Sequence, residues 1–304
     1  MVPAIHCLLH LYIMTFPNGN IESHNKKLLF KPKENRIRGG LRTRQLAEYM
    51  GVRVFRRTMS KAVFFDLDNT LVHRNKSILA YSERFFERYS EELVDVSPVE
   101  ISNIIFSQDN GGYLPAGSSY KSIKDAVSHE LHKEIIHSSK VSVEDIRDHW
   151  IHCFPKCAIP MNGANETLTH LAQEGYHLGI ISNGADGSRM ATAKSLSAYH
   201  YINQLVSSEA AGISKPNSKI FTHSVFDAGF IPEQCWYVGD HPINDIVGAR
   251  KAGMQTIWLK GFHSWPNNIE APAHSVESLA EVKSVIESNS NNQRQARQKY
   301  ARLP

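Results

Sequence analysis

Two aspartates, Asp66 and Asp68, follow a short apolar segment and are separated by one residue. Alternate residues of an extended segment point to the same side, so both carboxylates are expected to face one pocket. Two carboxylates in one pocket can divide the work of nucleophile and proton carrier. The pattern Asp-x-Asp-x-Thr at residues 66–70 also occurs in ordinary acidic turns, so it needs support from elsewhere in the chain.

Three further segments offer groups suited to binding phosphate and metal. Ser182 and Asn183 end a second apolar segment, where a hydroxyl and backbone N–H groups can hold phosphate oxygens. Lys215 precedes a predicted helix and can offset carboxylates or bind phosphate. Asp240 and Asp245 place two more acids beside a third apolar segment. The Ser182 and Lys215 segments are weak signals alone, because such turns and solvated lysines are common. Two further acids beside a strand end are hard to explain by packing.

The charges of these residues favour a divalent cation. They comprise four carboxylates and one ammonium group, and carboxylates packed together raise one another's pKa values and cost stability. A divalent cation removes most of that cost and attracts phosphate. Mg²⁺ prefers oxygen ligands, so the sequence predicts Mg²⁺ as cofactor. The four carboxylates concerned are those of Asp66, Asp68, Asp240 and Asp245.

Apolar strands alternating with helices are predicted to bring these segments together. Residues 61–65 form an almost wholly apolar run, typical of a parallel strand buried on both faces. Further strands are predicted at residues 177–182, 204–207, 235–239 and 256–259, and helices at 166–173, 186–197, 216–228 and 244–252. This alternation predicts an α/β fold, a Rossmann-like parallel sheet with helices on both faces. Such sheets bind ligands at the carboxyl ends of their strands, where Asp66, Ser182 and Asp240 stand.

Four predicted helices interrupt the alternation after the first strand. Ser77 is the predicted N-cap of the first, and residues 97–100, Ser-Pro-Val-Glu, have the pattern of a capping box. Ser142 is predicted to open the fourth helix. The predicted division is an N-terminal extension at 1–58, a catalytic core at 59–76 and 161–286, a helical cap at 77–160 and a polar tail at 287–304.

The positive charge of the chain lies at its two ends. Residues 1–60 hold 11 Lys or Arg and 3 Asp or Glu, whereas residues 61–286 hold 19 and 26. We interpret the ends as solvated and poorly ordered. Residues 43–52 resemble the first helix and turn of a helix-turn-helix, but too few residues follow for a recognition helix. Nucleic acid is therefore not an expected partner, and Met59 allows the hypothesis that the native chain starts there.

Composition and segment length also indicate the cellular compartment of the protein. No segment contains the roughly 18–20 apolar residues needed to cross a bilayer, and residues 2–16 lack the basic leader of a signal peptide. The four cysteines are too few and too scattered for a disulfide framework or a zinc site. These features predict a cytoplasmic protein with no membrane partner.

In their order and strand context, the four segments resemble the signature motifs of the haloacid dehalogenase superfamily. The helices after the first strand resemble the cap of its subfamily I, and the resemblance covers residues 61–259. It implies that Asp66 is the nucleophile and an Mg²⁺ ligand. It implies that Asp68 protonates the leaving oxygen and then activates water, with its backbone carbonyl facing the metal.

The same resemblance assigns roles to the other segments. Ser182 and the backbone of Asn183 would hold the phosphoryl group, and Lys215 would tie Asp66 to it. Asp240 would ligate Mg²⁺, and Asp245 would do so directly or through water. Together these roles describe covalent catalysis, with metal and lysine offsetting the charge of a phosphoryl group in transfer.

Within this resemblance, Asp68 favours the phosphatase branch of the superfamily over the dehalogenases. The dehalogenases share the fold and cap but lack the second acid, because a halide leaves without a proton and an alkoxide does not. The implied activity is Mg²⁺-dependent hydrolysis of a small phosphomonoester. Two alternatives stay open: a phosphomutase acting on a sugar phosphate with the same cap, and a catalytically silent binding protein.

Specificity is predicted to lie in the cap. Residues 111–113, Gly-Gly-Tyr, with Tyr120 and Lys121, are candidates for substrate contact, although an ordinary surface loop explains them equally well. Lys121 is the predicted substrate-binding residue of this group, since a basic residue lies near this place in some relatives, including phosphatases of riboflavin precursors. His241 is given no catalytic role. Nucleoside monophosphates, phosphoglycolate, sugar phosphates and flavin precursors all stay open as substrates, and the oligomeric state is not indicated.

Overall fold

The computed structural model describes residues 61–289 of the chain, which has 304 residues. The strands in this part are β1 (Ala62–Phe65), β2 (His177–Ser182), β3 (Gln204–Ser207), β4 (Cys235–Gly239), β5 (Gln255–Leu259) and β6 (Ser275–Val276). They form one sheet in the order β3-β2-β1-β4-β5-β6, and every neighbouring pair is parallel. The predicted α/β fold with a parallel sheet is confirmed. β6 was not predicted, because two residues are too few to show a period.

Helices occupy each connection from β1 to β5. The α-helices are α1 (Arg74–Tyr89), α2 (Pro98–Gln108), α3 (Ile123–Ile135), α4 (Val143–Cys153), α5 (Ala164–Gln173), α6 (Asp186–Ala193), α7 (Ser208–Ala211), α8 (Ser218–Asp227) and α9 (Gly248–Lys251). Shorter helical turns are Phe154–Cys157, Ser197–Tyr201, Pro232–Gln234, Pro242–Val247 and Leu279–Glu281, and residues 282–289 are helical.

The sheet has an apolar core on each face. Side chains alternate along β1, so Val63 and Phe65 pack on one face while Ala62 and Phe64 pack on the other. The first face is covered mainly by α5 and the C-terminal helical residues, and the second by α8 and α9. Burial on both faces explains why the strands are almost wholly apolar.

The helices α1–α4 follow β1 and have a core of their own, as predicted. The capping box at Ser97 is confirmed, because its hydroxyl accepts a hydrogen bond from the Glu100 N–H and the Glu100 carboxylate accepts one from the Ser97 N–H. Ser142 forms a second capping box with Asp145. The cap core is formed by Ile78, Tyr81, Phe85, Ile101, Ile105, Val127, Leu131, Ile146, Trp150 and Phe154, among others.

The predicted start of α1 is wrong by one turn. The helix begins at Arg74, and Ser77 lies inside it rather than at its N-cap. The Ser77 hydroxyl donates to the His73 carbonyl at 3.0 Å and accepts from the Ile159 N–H at 2.9 Å. Ser77 thus connects the start of the cap, at His73, to the end of the cap, at Ile159. The earlier start puts Arg74 beside Asp68, the second aspartate after β1.

Three later helices also differ from the prediction. α6 ends at Ala193 instead of Ser197. α8 begins at Ser218 with Asn217 as its N-cap, because the Asn217 side chain accepts from the Lys219 N–H at 3.0 Å. The helix predicted over 244–252 is two pieces, a π-helical turn at Pro242–Val247 followed by α9. π-Helical turns frequently occur at functional sites.

Within residues 61–289, no helix combines the length and the apolar character needed to cross a membrane. Cys153, Cys157 and Cys235 are free. The helix-turn-helix-like segment at 43–52, the start at Met59 and most of the polar tail lie outside the described residues. The domain boundaries stay predictions.

Candidate active site

The carboxyl ends of β2, β1 and β4 bring the predicted residues together. The connection after β1 runs towards β2, and the connection after β4 runs the other way, towards β5. Ligands bind in open parallel sheets where the strand order reverses in this way, here between β1 and β4. The Asp66 N–H donates to the Val238 carbonyl at 2.9 Å, so the ladder continues one residue beyond β1. A small pocket of ≈ 30 Å³ at this edge is lined by Asp66, Asp68, Gly111, Gly112, Tyr113, Ser182, Asn183, Lys215 and Asp240.

A tight turn after β1 aims the first pair of acids. Asn69 adopts φ 56°, a left-handed conformation that asparagine tolerates better than most residues. Its N–H donates to the Val72 carbonyl at 2.6 Å. The buried Thr70 hydroxyl donates to Asp240 Oδ1 at 3.4 Å, which links this turn to the end of β4.

Three buried carboxylates form a candidate metal centre. Oxygen atoms of Asp66, Asp240 and Asp245 all lie within 4.8 Å of one another. Burial raises the pKa of Asp66 to about 6 against the opposing effect of Lys215, and Asp245 raises it further. Burial, followed by Asp245 and Asp66, raises the pKa of Asp240 well above its usual range. The residues fit a hard divalent cation, because it would supply the charge that this oxygen cluster lacks.

Lys215 is the cation in contact with this cluster. Its Nζ lies 2.7 Å from Asp66 Oδ1, 2.6 Å from Asp245 Oδ1 and 3.1 Å from the Tyr237 hydroxyl. Burial alone would lower the pKa of Lys215, but Asp245 and Asp66 together raise it well above its usual range. The lysine is therefore a permanent positive charge between the nucleophile candidate and Asp245.

The segment after β2 holds Lys215 in place. The Asn183 side chain donates through Nδ2 to the Lys215 carbonyl at 3.1 Å and accepts from the Lys215 N–H at 2.9 Å. The side chain of Asn183 is thus used in positioning, which leaves its backbone for a ligand. Ser182 is buried at the end of β2 and lines the small pocket. Its predicted role in phosphate binding stays a prediction.

Asp245 is delivered by the π-helical turn and is fully buried. Its Oδ2 accepts from the His241 N–H at 2.9 Å, while its Oδ1 contacts Lys215. Gly239 makes room for this carboxylate, since a Cβ added there would lie 2.5 Å from Asp245 Oδ2. His241 caps the same turn, because its Nδ1 accepts from two backbone N–H groups.

Two buried arginines on Asp68 were missed by the sequence analysis. Arg74 Nη1 donates to Asp68 Oδ2 at 3.0 Å, and Arg189 Nη1 donates to the same oxygen. Burial acts to raise the pKa of Asp68, but Arg189 and Arg74 outweigh it and lower that pKa to about 2. The Asp68 carboxylate therefore faces these arginines and is not part of the three-carboxylate cluster.

Arg74 has a second partner on the cap. Its Nε lies 3.0 Å and 2.9 Å from the two carboxylate oxygens of Asp109, which follows α2. Asp109 Oδ1 also accepts from the Gly112 N–H at 2.6 Å. Asp68, Arg74, Asp109 and the glycine loop therefore form one chain of polar contacts. No local pattern pointed to it, because its members come from separate elements.

The predicted contact residues of the cap have different positions. Tyr113 lies over the small pocket, where its hydroxyl accepts from Asn244 Nδ2 at 2.7 Å and its ring contacts His241. Lys121 lines a larger cavity, of ≈ 830 Å³, that adjoins the small pocket. Tyr120 lines neither the small pocket nor the larger cavity. Its hydroxyl donates to Glu130 within the cap.

The sequence is similar to a known family and to known proteins. The profile of the family described as haloacid dehalogenase-like hydrolase matches residues 63–259. A glyceraldehyde 3-phosphate phosphatase of Methanopyrus kandleri is 28% identical over 212 residues, covering 66% of this chain and 84% of that protein. The pyrimidine 5′-nucleotidase YjjG of Escherichia coli is 30% identical over 143 residues, covering 46% of this chain and 63% of that protein.

A solved structure has the same fold. It is that of the hydrolase YfnB of Bacillus subtilis, determined with bound magnesium. The two folds align with a TM-score of 0.56 over 74% of this chain and 98% of that protein, at 18% sequence identity. At this identity the likeness shows the fold and not the activity.

Proposed function

This chain belongs to the haloacid dehalogenase-like hydrolases, and we propose that it hydrolyses a small phosphomonoester metabolite through an aspartyl-phosphate on Asp66, with Mg²⁺ as cofactor. The observation that carries this proposal is the buried cluster of Asp66, Asp240 and Asp245 in contact with Lys215. Both curated relatives above are named for action on small phosphorylated molecules, which supports the same reaction class.

In the first step a carboxylate oxygen of Asp66 attacks the phosphorus atom, and the bond from phosphorus to the leaving oxygen breaks. Asp68 lines both the small pocket and the adjoining cavity, so it is placed to give a proton to that oxygen. Ser182 and the Asn183 backbone hold the phosphoryl oxygens. Lys215 offsets the charge that Asp66 and the phosphoryl group share.

In the second step water attacks the phosphorus atom of the aspartyl-phosphate. Asp68 takes a proton from the water, and Asp66 is released as inorganic phosphate forms. In the ligand-free arrangement Asp68 is held as a carboxylate by Arg74 and Arg189. That state suits the second step. For the first step these contacts must loosen in the substrate complex so that Asp68 can carry a proton.

Mg²⁺ would be held by Asp66, Asp240 and the Asp68 backbone carbonyl, with Asp245 binding directly or through water. When bound, it supplies positive charge against both the carboxylates and the phosphate. The burial of three carboxylates beside one ammonium group supports this assignment.

Phosphate release from a panel of small phosphomonoesters tests the proposal, with Mg²⁺ and with EDTA. We expect release in Mg²⁺, its loss in EDTA, and its loss in Asp66→Asn, which keeps the shape of the side chain but removes the nucleophile. Asp68→Ala should also abolish turnover. Turnover that persists in Asp66→Asn would contradict the covalent mechanism. Isomerised product with retained phosphate would identify a mutase, and no reaction with any compound would favour a binding protein.

A further inference from the structure

The cavity next to the small pocket is large enough for a bulky leaving group. Its volume is ≈ 830 Å³ against ≈ 30 Å³ for the small pocket, and ligand pockets are typically about 300–1,000 Å³. The two spaces share Asp68, Gly112, Tyr113 and Asn183. A phosphoryl group at Asp66 would therefore direct the rest of its ester past Asp68 and into this cavity.

The cavity carries a surplus of positive charge. Arg74, Lys121, Lys124, Lys156 and Arg189 line it, and of the described residues in its lining Asp68 is the one acid. The three lysines are exposed, and none has an ion-pair partner within residues 61–289. Two of them flank the N-terminus of α3, where the helix dipole disfavours cations. An anion in the cavity would offset that cost.

Arg189 has an unused donor inside this lining. The residue is 7% exposed, and its Nε has no hydrogen-bond partner among the residues the structure describes. Its Nη2 lies 3.4 Å from the Ser188 hydroxyl, a weak contact. A buried guanidinium group with spare N–H donors is costly until an acceptor reaches it. Arg74 differs, because Asp109 already binds it through both carboxylate oxygens.

The backbone beside Arg189 is shaped to leave the guanidinium group room. A Cβ added to Gly184 would lie 3.0 Å from Arg189 Nε. Gly184 also lines the cavity. Arg189 and Gly184 therefore stand together in the wall of the cavity, so the guanidinium group borders the space that a ligand anion would enter.

One wall of the cavity is apolar and aromatic. Trp150 and Phe154 stack with ring centroids 4.2 Å apart and an interplanar angle of 6°. Leu114 and Ile123 add aliphatic surface. Flat apolar surface of this kind favours a ring or chain between the two charged ends of a ligand.

We infer that the natural substrate is a phosphomonoester whose leaving group has an apolar portion and a second anionic group, carboxylate or phosphate, bound by Arg189 with Lys121 and Lys124. This rests on the proposed phosphatase function. It disfavours small neutral leaving groups, which would leave both the cationic lining and most of the cavity unused.

Matched aromatic substrates test the inference. The anionic compounds are 4-carboxyphenyl phosphate and 4-phosphonophenyl phosphate, and the neutral one is 4-carbamoylphenyl phosphate, which has nearly the shape of the first. We expect kcat/KM to be about tenfold or more higher for an anionic compound than for the neutral one, as for a hydrogen bond between charged groups. The better of the two anionic compounds identifies the chemistry of the second group.

Variants locate the binding groups. Arg189→Gln should reduce the ratio of anionic to neutral kcat/KM towards one, and this ratio corrects for any effect of Arg189 on Asp68. The double variant K121Q/K124Q changes exposed residues and should lower the ratio by about twofold to fivefold. It provides the test if Arg189→Gln does not fold. Lys219→Gln, on α8 outside the cavity lining, should leave the ratio unchanged.

The outcomes separate the two proposals. Equal kcat/KM values for the neutral compound and the two anionic compounds would overturn the inference and leave the phosphatase function standing. Hydrolysis of no compound in this set or in the broader panel would overturn the phosphatase function itself. A ratio that survives in both the arginine variant and the lysine variant would overturn the assignment of the anion site.

Discussion

Lys215 connects the nucleophile candidate to the acid that is most deeply buried. Asp66 and Asp245 both lie within 2.7 Å of its Nζ, and the three side chains are almost wholly shielded from water. The charges of Lys215, Asp66 and Asp245 stabilise one another, because burial of any one of them alone would carry a large desolvation cost. The lysine therefore has a structural role as well as the catalytic role proposed above.

Replacing Lys215 by methionine is expected to lower the free energy of unfolding by about 3–5 kcal/mol in EDTA at about pH 8, since it leaves uncompensated buried carboxylates. Saturating Mg²⁺ should recover part of this loss, because it supplies charge to the same oxygens. Urea unfolding measures both values. Lys219→Met, at an exposed position of α8, should change stability by less than about 0.5 kcal/mol. An equal loss with and without Mg²⁺ would contradict the candidate metal centre.

Gly239 has no side chain, and this leaves room for the Asp245 carboxylate. Gly239→Ala would bring a methyl group to within 2.5 Å of Asp245 Oδ2. We expect a loss of about 1–3 kcal/mol in stability from overpacking, with weaker Mg²⁺ binding because Asp245 must move. Gly187→Ala is the control. Gly187 lies in α6, and a Cβ added there would have no atom within 4 Å, so we expect the substitution to be neutral or slightly stabilising. Thermal unfolding over a Mg²⁺ titration gives both readouts. Unchanged Mg²⁺ affinity in Gly239→Ala would show that Asp245 takes no part in the site.

At the scale of elements, the loop between α2 and α3 joins the cap to the sheet. Asn244 Nδ2 donates to the Tyr113 hydroxyl at 2.7 Å, and Asn69 Nδ2 donates to the Gly111 carbonyl at 3.4 Å. Asp109, at the end of α2, binds Arg74 at the start of α1. The loop therefore closes the small pocket through contacts that depend on how the cap is placed.

Removing the hydroxyl of Tyr113 tests the importance of this closure. Tyr113→Phe loses one hydrogen bond between cap and core, a cost of about 1 kcal/mol, so kcat/KM should fall about fivefold. Tyr120→Phe loses a hydrogen bond of the same length within the cap, to Glu130 at 2.7 Å, and should leave kcat/KM near the value of the unmodified protein. Steady-state kinetics distinguishes the two. Equal effects of both substitutions would mean that cap stability, and not closure of the loop, sets the rate.

At the scale of the whole molecule, stability is divided between the two cores of the sheet and the core of the cap. His149 on α4 contacts that cap core, and its Nδ1 lies 3.0 Å from the Tyr81 hydroxyl. Burial, followed by Arg84 and Arg88 on α1, lowers the pKa of His149 from 6.5 to about 4. The other charged or titratable groups around it are Tyr89, Glu92, Lys140, Asp145, Asp148, His152 and Cys153.

This histidine makes the stability of the cap depend on pH. Between the two pKa values the unfolded chain binds a proton that the folded chain does not, so stability falls as pH decreases from 6.5 towards 4. The half-buried ring is screened by solvent, so we expect its share to be about 1 kcal/mol. His149→Gln keeps a hydrogen-bonding group but does not titrate. Urea unfolding at a series of pH values should show a shallower decline for this variant.

The control for this measurement is His200→Gln, at an exposed position outside the cap. It should follow the unmodified protein across the acid range. If His149→Gln loses stability on acidification as steeply as the unmodified protein, then the histidine is not responsible for the dependence.

Much of the fold follows from local pattern. β2, β3 and β4 have the predicted bounds, because unbroken apolar runs mark strands that are buried on both faces. The capping box at Ser97 was predictable because its partners lie three residues apart. The position of Asp66 directly after a predicted buried strand indicates a site at the carboxyl edge of a sheet.

The contacts of the site itself were decided only by tertiary structure. Arg189 meets Asp68 across 121 positions of sequence, and Asn244 meets Tyr113 across 131. The one-turn shift of α1 that brings Arg74 to Asp68, and the π-helical turn that aims Asp245, depend on packing against distant elements. Local periodicity reports which face of an element is buried, because burial repeats along that element. It contains no information on which distant polar side chain will share the buried space, since that depends on how separate elements pack.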